Sequence, residues 1–209
     1  MKKLKTFWKA MAAGVAIGMG ASSYLLCESR VLGAFMFTVG LFTICFLGLE
    51  LYTGRIGYIL DMKSPIDCLI VWLGNLAGCV TSGLLLRYAS PRLAAAGAEL
   101  TAAKLELSLP RAAVLGLFCG ILMYIAVHNY KQNPSSVGKC VGIFVCVSAF
   151  IFCGFEHCIA NMVYFTLGIT SASQLLPALY LTLTVSVANA VGAVLFRKLS
   201  LAFQKQEKF

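Results

Sequence analysis

The feature that most constrains this chain is an interruption that occurs twice. Gly48-Leu49-Glu50 breaks one long uncharged stretch, and Asn75-Leu76-Ala77-Gly78 lies inside the next. Gly154-Phe155-Glu156 breaks a later stretch, and Asn189-Ala190-Val191-Gly192 lies inside the one after it. The Gly-x-Glu copies are 106 residues apart and the Asn-x-x-Gly copies 114. Paired, glycine-marked breaks in apolar segments belong to membrane proteins built from two inverted halves, and the breaks mark where a solute passes.

The runs between these marks are long enough to span a bilayer, which takes about 20 apolar residues. They are Ala10–Cys27, Val31–Leu49, Cys68–Leu86, Ala112–Tyr130, Cys140–Phe155 and Cys158–Phe196. The last is too long for one helix. Gly168 to Ser173 and Pro177 divide it into the end of a fifth span and a whole sixth. With 60% hydrophobic and 12% charged residues, the chain is too apolar for a soluble domain of its 209 residues. The expected fold is therefore an all-α membrane protein, a single channel domain over 1–209. It has six transmembrane helices in two inverted three-helix repeats, approximately 1–90 and 104–200, with the second and fifth helices broken in an aquaporin-like architecture.

The start Lys2-Lys3-Leu4-Lys5 resembles the charged region of a leader. The apolar stretch behind it has no clear cleavage pattern before Glu28, so it reads as the first span. Charge then sets the orientation. With both termini inside, one face collects Lys2, Lys3, Lys5, Lys9, Arg55, Lys63, Lys131, Lys139, Arg197, Lys198, Lys205 and Lys208. The other holds Arg30, Arg87, Arg92, Lys104 and Arg111, so twelve cations stand against five. This satisfies the positive-inside rule and accounts for the net charge of +9 without nucleic acid. The expected location is the cell membrane, multi-pass, with cytoplasmic termini.

Nine cysteines invite a metal or redox reading, but no C-x-x-C occurs, and Cys140, Cys146, Cys153 and Cys158 have spacings unlike a zinc set. Inside apolar helices they act as small hydrophobes, and no cofactor or metal is expected. H-E-x-x-H and G-x-S-x-G are missing, and no intramembrane carboxylate pair lies on one helix. An enzyme is not expected.

Chemistry concentrates at the breaks. An unsatisfied backbone group in hydrocarbon costs several kcal/mol, so a broken helix must be buried in protein or line a cavity. Glu50 and Glu156, following Gly48 and Gly154, are expected to brace the loosened backbone. As direct ligands they would repel an anion. Asn75 and Asn189 are expected to bond across to the broken neighbours. A half-helix starting after a break turns its positive end toward the cavity, which favours an anion. His157, at the second break, is an ionisable group at membrane depth and so marks a pathway. Its ring can donate a hydrogen bond to a passing anion or relay a proton. His128, beside Asn129, reads as interfacial.

Taken together, these segments resemble the formate/nitrite transporter family over nearly the whole chain. Gly154-Phe155-Glu156-His157 with Ile159-Ala160-Asn161-Met162 is similar to that family's fifth-span signature. Gly48-Leu49-Glu50-Leu51-Tyr52-Thr53-Gly54 looks like its second-span break, and the Asn75 and Asn189 segments correspond to its third and sixth spans. The resemblance implies a homopentamer in the lipid membrane, each subunit passing a small monovalent anion (formate, nitrite or hydrosulfide), with H⁺ as a possible companion. It implies that His157 and Thr53 form a central polar pair between two apolar slits. Phe37, Leu41 and Phe150 would build the cytoplasmic slit, and Leu51, Tyr52 and Met123 the outer one. Lys104 would gather anions in the outer vestibule, and Asn161 would support the break. Gly120 stands where the family usually has asparagine, which would remove a polar group from the centre. Tyr52 stands where phenylalanine is common, which would add a hydroxyl to the outer slit.

Overall fold

The protein, described as a computed structural model over residues 1–62 and 64–206, is helical throughout. Lys63 and Lys208, two of the cations weighed above, lie outside the described residues. The chain runs through α1 (Lys2–Leu26), α2 (Arg30–Phe46), a short α3 (Tyr52–Ile56), α4 (Ile66–Ala89), α5 (Pro91–Leu105), α6 (Leu109–Gln132), α7 (Ser136–Phe152), α8 (Cys158–Gly168) and α9 (Leu175–Gln206). Among the described residues, three stretches are long and apolar enough to cross a membrane: Ile66–Ala89, Leu109–Gln132 and Ala172–Phe203. Helices α2, α7 and α8 are apolar but shorter, and α2 and α7 both end at a Gly-x-Glu break. The division of the last apolar run falls where glycine and serine cluster, with α8 ending at Gly168 and α9 starting at Leu175.

Helix starts follow from local capping. Ser29 and Ser135, also 106 residues apart, each accept the backbone N–H three residues on, at 3.3 and 3.2 Å. Such caps satisfy a donor that the first helical turn leaves open. The ends of α2 and α7 share one geometry. The N–H of Leu49 reaches Ile44 O at 2.9 Å and that of Gly48 reaches Cys45 O at 3.3 Å. The N–H of Phe155 reaches Phe150 O at 2.9 Å and that of Gly154 reaches Ile151 O at 3.1 Å. This is a Schellman cap, and its left-handed residue is glycine in both copies: Gly48 at φ +60° and Gly154 at φ +70°.

Packing keeps the same duplication. Helix α1 packs on α2 and α4, and α6 packs on α7 and α9. The second segment of each broken pair reaches across: α8 packs on α4, and α3 touches α6 and α9. Close approach within each half needs glycine. The Cα of Gly14 in α1 is opposed by Gly78 in α4. A Cβ at Gly120 in α6 would overlap the Asn189 carbonyl oxygen of α9, and one at Gly192 would overlap that of Leu117. Gly120 therefore serves the α6–α9 contact. A side chain there would have to part the two helices.

Candidate pore site

Each break is tied down by one buried asparagine, and the two make the same three bonds. Asn75 Oδ1 accepts the Tyr52 N–H at 2.9 Å, and its Nδ2 donates to Ala10 O at 2.8 Å and Glu50 O at 2.9 Å. Asn189 Oδ1 accepts the Cys158 N–H at 3.0 Å, and its Nδ2 donates to Gly116 O at 2.7 Å and Glu156 O at 2.9 Å. Each amide thus closes the backbone on both sides of a gap and anchors it to the first helix of its own half. Both asparagines are fully buried, where orphaned backbone groups would be costly.

The carboxylates at the breaks are not equivalent, and among the described residues neither accepts the expected backbone N–H: both are held by side chains, and the backbone is served by the asparagines. Glu156 Oε1 takes a 2.7 Å ion pair from Lys104, and its Oε2 accepts Asn161 Nδ2 at 2.7 Å. Those two charged side chains are only 13% and 6% exposed. Lys104 also lies 5.5 Å from the centre of the Tyr164 ring. Glu50 instead pairs with Arg55 of its own segment at 2.8 Å, and Arg55 also reaches Asp67 at 3.6 Å. Lys104, expected as a vestibule charge, lines a cavity with its charge already matched by a carboxylate.

The break residues themselves meet. Thr53, in the first turn of α3, places Oγ1 2.9 Å from His157 Nε2. His157 caps α8, with Nδ1 accepting the Ala160 N–H at 3.1 Å. An accepting Nδ1 carries no hydrogen, so in the neutral ring Nε2–H donates to the threonine oxygen. The Thr53 hydroxyl then keeps its own hydrogen to donate elsewhere. Thr53 and His157 are 1% and 2% exposed.

Two cavities flank the pair. One, of about 300 Å³, is lined by Lys104, Glu156, His157, Phe150, Arg30 and Tyr164 among others. The second, of about 440 Å³, is lined by Leu41, Leu51, Gly54, Arg55, Tyr58 and Lys131 among others. The second lies toward the chain termini: Lys9 of α1 donates to Gly48 O in its wall at 2.9 Å. Apolar side chains separate the cavities. Phe37 meets Phe150 edge-on at 5.7 Å, and Phe150 stacks on the His157 ring at 5.4 Å.

This arrangement redistributes the expected slits. Phe150 lines the Lys104 cavity rather than the one toward the termini, and Phe37 packs edge-on against it without lining either cavity. Leu41 joins Leu51 at the terminal side. The cause is helical geometry: Phe37 and Leu41 sit one turn apart on α2 and face successive levels of the gap. Tyr52 and Met123 line neither cavity. The Tyr52 hydroxyl donates to Ser186 O at 3.2 Å, so it is spent on α9 and adds no polar group to a slit. His128 joins an aromatic group, with Nδ1 3.1 Å from the Tyr58 hydroxyl and its ring stacked on Tyr124 at 5.2 Å.

Helix α5 and the cations Lys9, Arg30 and Lys131 are not read from the sequence as parts of the site. A signal for α5 is present: Ser90-Pro91 starts it, with Ser90 Oγ accepting the Leu93 N–H at 3.2 Å and proline at the first helical position. Its last turn carries Lys104 to Glu156. The cysteines form no metal-ligating group among the described residues.

Known proteins resemble this chain along its length. The formate/nitrite transporter family model matches residues 1–203. A probable formate transporter of Methanothermobacter thermautotrophicus is 29% identical, over 91% of this chain and 80% of its own. The formate channel FocB of Escherichia coli is 26% identical, over 77% of this chain and 65% of its own. A solved ion channel of the same family superposes with a TM-score of 0.85 at 24% identity, covering 96% of this chain and 90% of its own. A pentameric formate channel with formate bound gives a TM-score of 0.77 at 21% identity, covering 98% and 96%. These relatives are transport proteins rather than enzymes. A match running through both breaks and nearly the whole length settles the classification: the chain belongs to the formate/nitrite transporter family.

Proposed function

We propose that the chain is a transmembrane channel for a small monovalent weak-acid anion, formate first. It would assemble as a homopentamer, with six spans per subunit in two inverted repeats and both termini cytoplasmic. One observation carries the reading. The Thr53–His157 hydrogen bond sits at the meeting of two broken helices, with a cavity on either side and aromatic and aliphatic walls between. Formate is favoured over nitrite or hydrosulfide by the formate-bound structural neighbour and the formate-transporting relatives. The matched hydrogen bonds of Asn75 and Asn189 support the repeat, and the charge distribution of the sequence supports the orientation.

An anion entering from the Lys104 cavity meets the Phe37–Phe150 constriction and sheds water there. The Thr53 hydroxyl replaces part of the lost hydration, because its oxygen is already served by His157 and its hydrogen is available. Apolar walls hold back larger or strongly hydrated ions. Formate can also take up a proton and cross the next apolar level as the neutral acid, with His157 as the relay.

The test uses proteoliposomes in isotonic formate. Wild type should swell and show acid-stimulated uptake, and His157→Asn should lose the acid stimulation while still assembling. An unchanged pH dependence in His157→Asn overturns the relay. No swelling in wild type overturns the channel and leaves a non-conducting scaffold. Competition among formate, acetate, nitrite and hydrosulfide then fixes the anion.

A further inference from the structure

The cations around the terminal-side cavity differ in what holds them. Arg55 is paired with Glu50 and Asp67, Arg197 with Asp61, and Lys9 with the Gly48 carbonyl. Lys131, at the end of α6 and in the cavity wall, has neither an ion pair nor a hydrogen bond among the described residues. Its ammonium is seated 4.4 Å from the centre of the Tyr58 ring, which draws a cation without neutralising it. Tyr58 is itself fixed: its hydroxyl meets His128 Nδ1 at 3.1 Å, and the Arg197 guanidinium lies 4.7 Å from its ring. Three N–H donors and a positive charge are thus held in the wall of a cavity that Leu41 and Leu51 also line, together with Glu50, whose carboxylate is taken up by Arg55. At the other mouth, Lys104 is matched by Glu156.

We propose that Lys131 is the entry charge of this channel at the mouth beside the termini. It would collect the permeating monovalent anion before the Leu41–Leu51 level, with Tyr58 as the positioning residue that keeps the ammonium over the cavity. The inference rests on the anion-channel reading above. A fixed cation at a pore mouth raises the local anion concentration, and its reach is the Debye length, about 30 Å at 0.01 M salt and about 3 Å at 1 M. The effect therefore belongs to low salt and to one direction of current.

The experiment measures single-channel current in planar bilayers with symmetric sodium formate at both voltage polarities. At about 0.01 M salt, Lys131→Gln should lose about threefold of the current carried by anions entering at one mouth, with little change at the other polarity. The loss should disappear near 1 M, and Lys131→Arg should restore the wild-type current. Lys131→Glu should exceed the loss of the glutamine variant, and Tyr58→Leu should show a smaller loss of the same polarity. Equal currents in wild type and Lys131→Gln at low salt, both conducting, overturn the inference and leave the channel reading intact. A loss that is equal at both polarities, or that persists at 1 M, also overturns it. A wild type that carries no formate current brings down both.

Discussion

The two breaks in this protein share a backbone and differ in chemistry. Gly48 and Gly154 occupy the same left-handed position in the same Schellman cap. Leu51 and His157 follow with nearly the same extended conformation, φ −112° ψ 131° and φ −109° ψ 116°. Asn75 and Asn189 close both gaps with identical sets of bonds. Beyond that brace the copies diverge. Where the second break carries an imidazole that caps α8, the first carries leucine with no side-chain cap. Where the first half places Thr53, the residue 106 positions on is Ile159. Each half thus supplies one member of the polar pair, from positions that the duplication does not relate. Duplicated backbone builds a gap, and unequal side chains give it two distinguishable ends.

The brace offers the sharpest way to break the comparison. Asn75→Ala and Asn189→Ala each orphan one buried N–H and the non-helical carbonyl of Glu50 or Glu156, while the helical carbonyl of Ala10 or Gly116 keeps its own helix bond, so each should cost about 3 kcal/mol. Thermal unfolding in detergent should show nearly equal penalties, and a twofold difference between them would mean the braces are not equivalent. The carboxylates come next and should behave unequally. Glu156→Gln leaves Lys104 buried without its partner, which should cost about 3 kcal/mol. Glu50→Gln, in a pair 25% and 31% exposed, should cost under about 1 kcal/mol. Similar losses in the two variants would contradict the assignment of Lys104 to the second break.

Gly48→Ala and Gly154→Ala follow. No atom within 4 Å opposes a Cβ at either site, so only the left-handed backbone resists it, and each change should cost about 1–2 kcal/mol. Crowding at one of them would show as a larger loss there. A similarly small effect on stability is expected from Thr53→Val, about 1 kcal/mol for one buried hydrogen bond. The same variant should lower formate flux about tenfold, roughly the 1.4 kcal/mol of one stabilising hydrogen bond at the constriction. Unaltered flux would remove Thr53 from the pathway.

Much of the site could be read in advance because it depends on local rules. A glycine that interrupts an apolar run, followed by a carboxylate, admits few explanations in a helix that must satisfy its backbone. The asparagines were legible for the same reason, since a primary amide is the economical way to serve a donor and an acceptor at once. His157 stood out because an ionisable group at that depth is costly. The slits were not legible. Whether Phe37 or Leu41 reaches a cavity depends on the rotation of α2 against its neighbours: Leu41 lines the terminal-side cavity, whereas Phe37, one turn earlier, lines neither and packs on Phe150. The Tyr52 hydroxyl could not be placed either, because its partner is a carbonyl 134 residues away on α9. The packing role of Gly120 was not legible, because its constraint comes from the Asn189 backbone and leaves no mark in its own segment.

The sequence by itself determined that the chain consists of apolar helices, that two of them are broken, and that the breaks repeat. Those are properties of backbone satisfaction and periodicity, which act over a few residues. Only the tertiary structure decided which side chains meet across the breaks. It paired Thr53 with His157, matched Lys104 with Glu156, and left Lys131 seated on Tyr58 with no direct ion pair among the described residues. These outcomes depend on distances between segments far apart in the chain, set by how closely glycine lets the helices of each half approach.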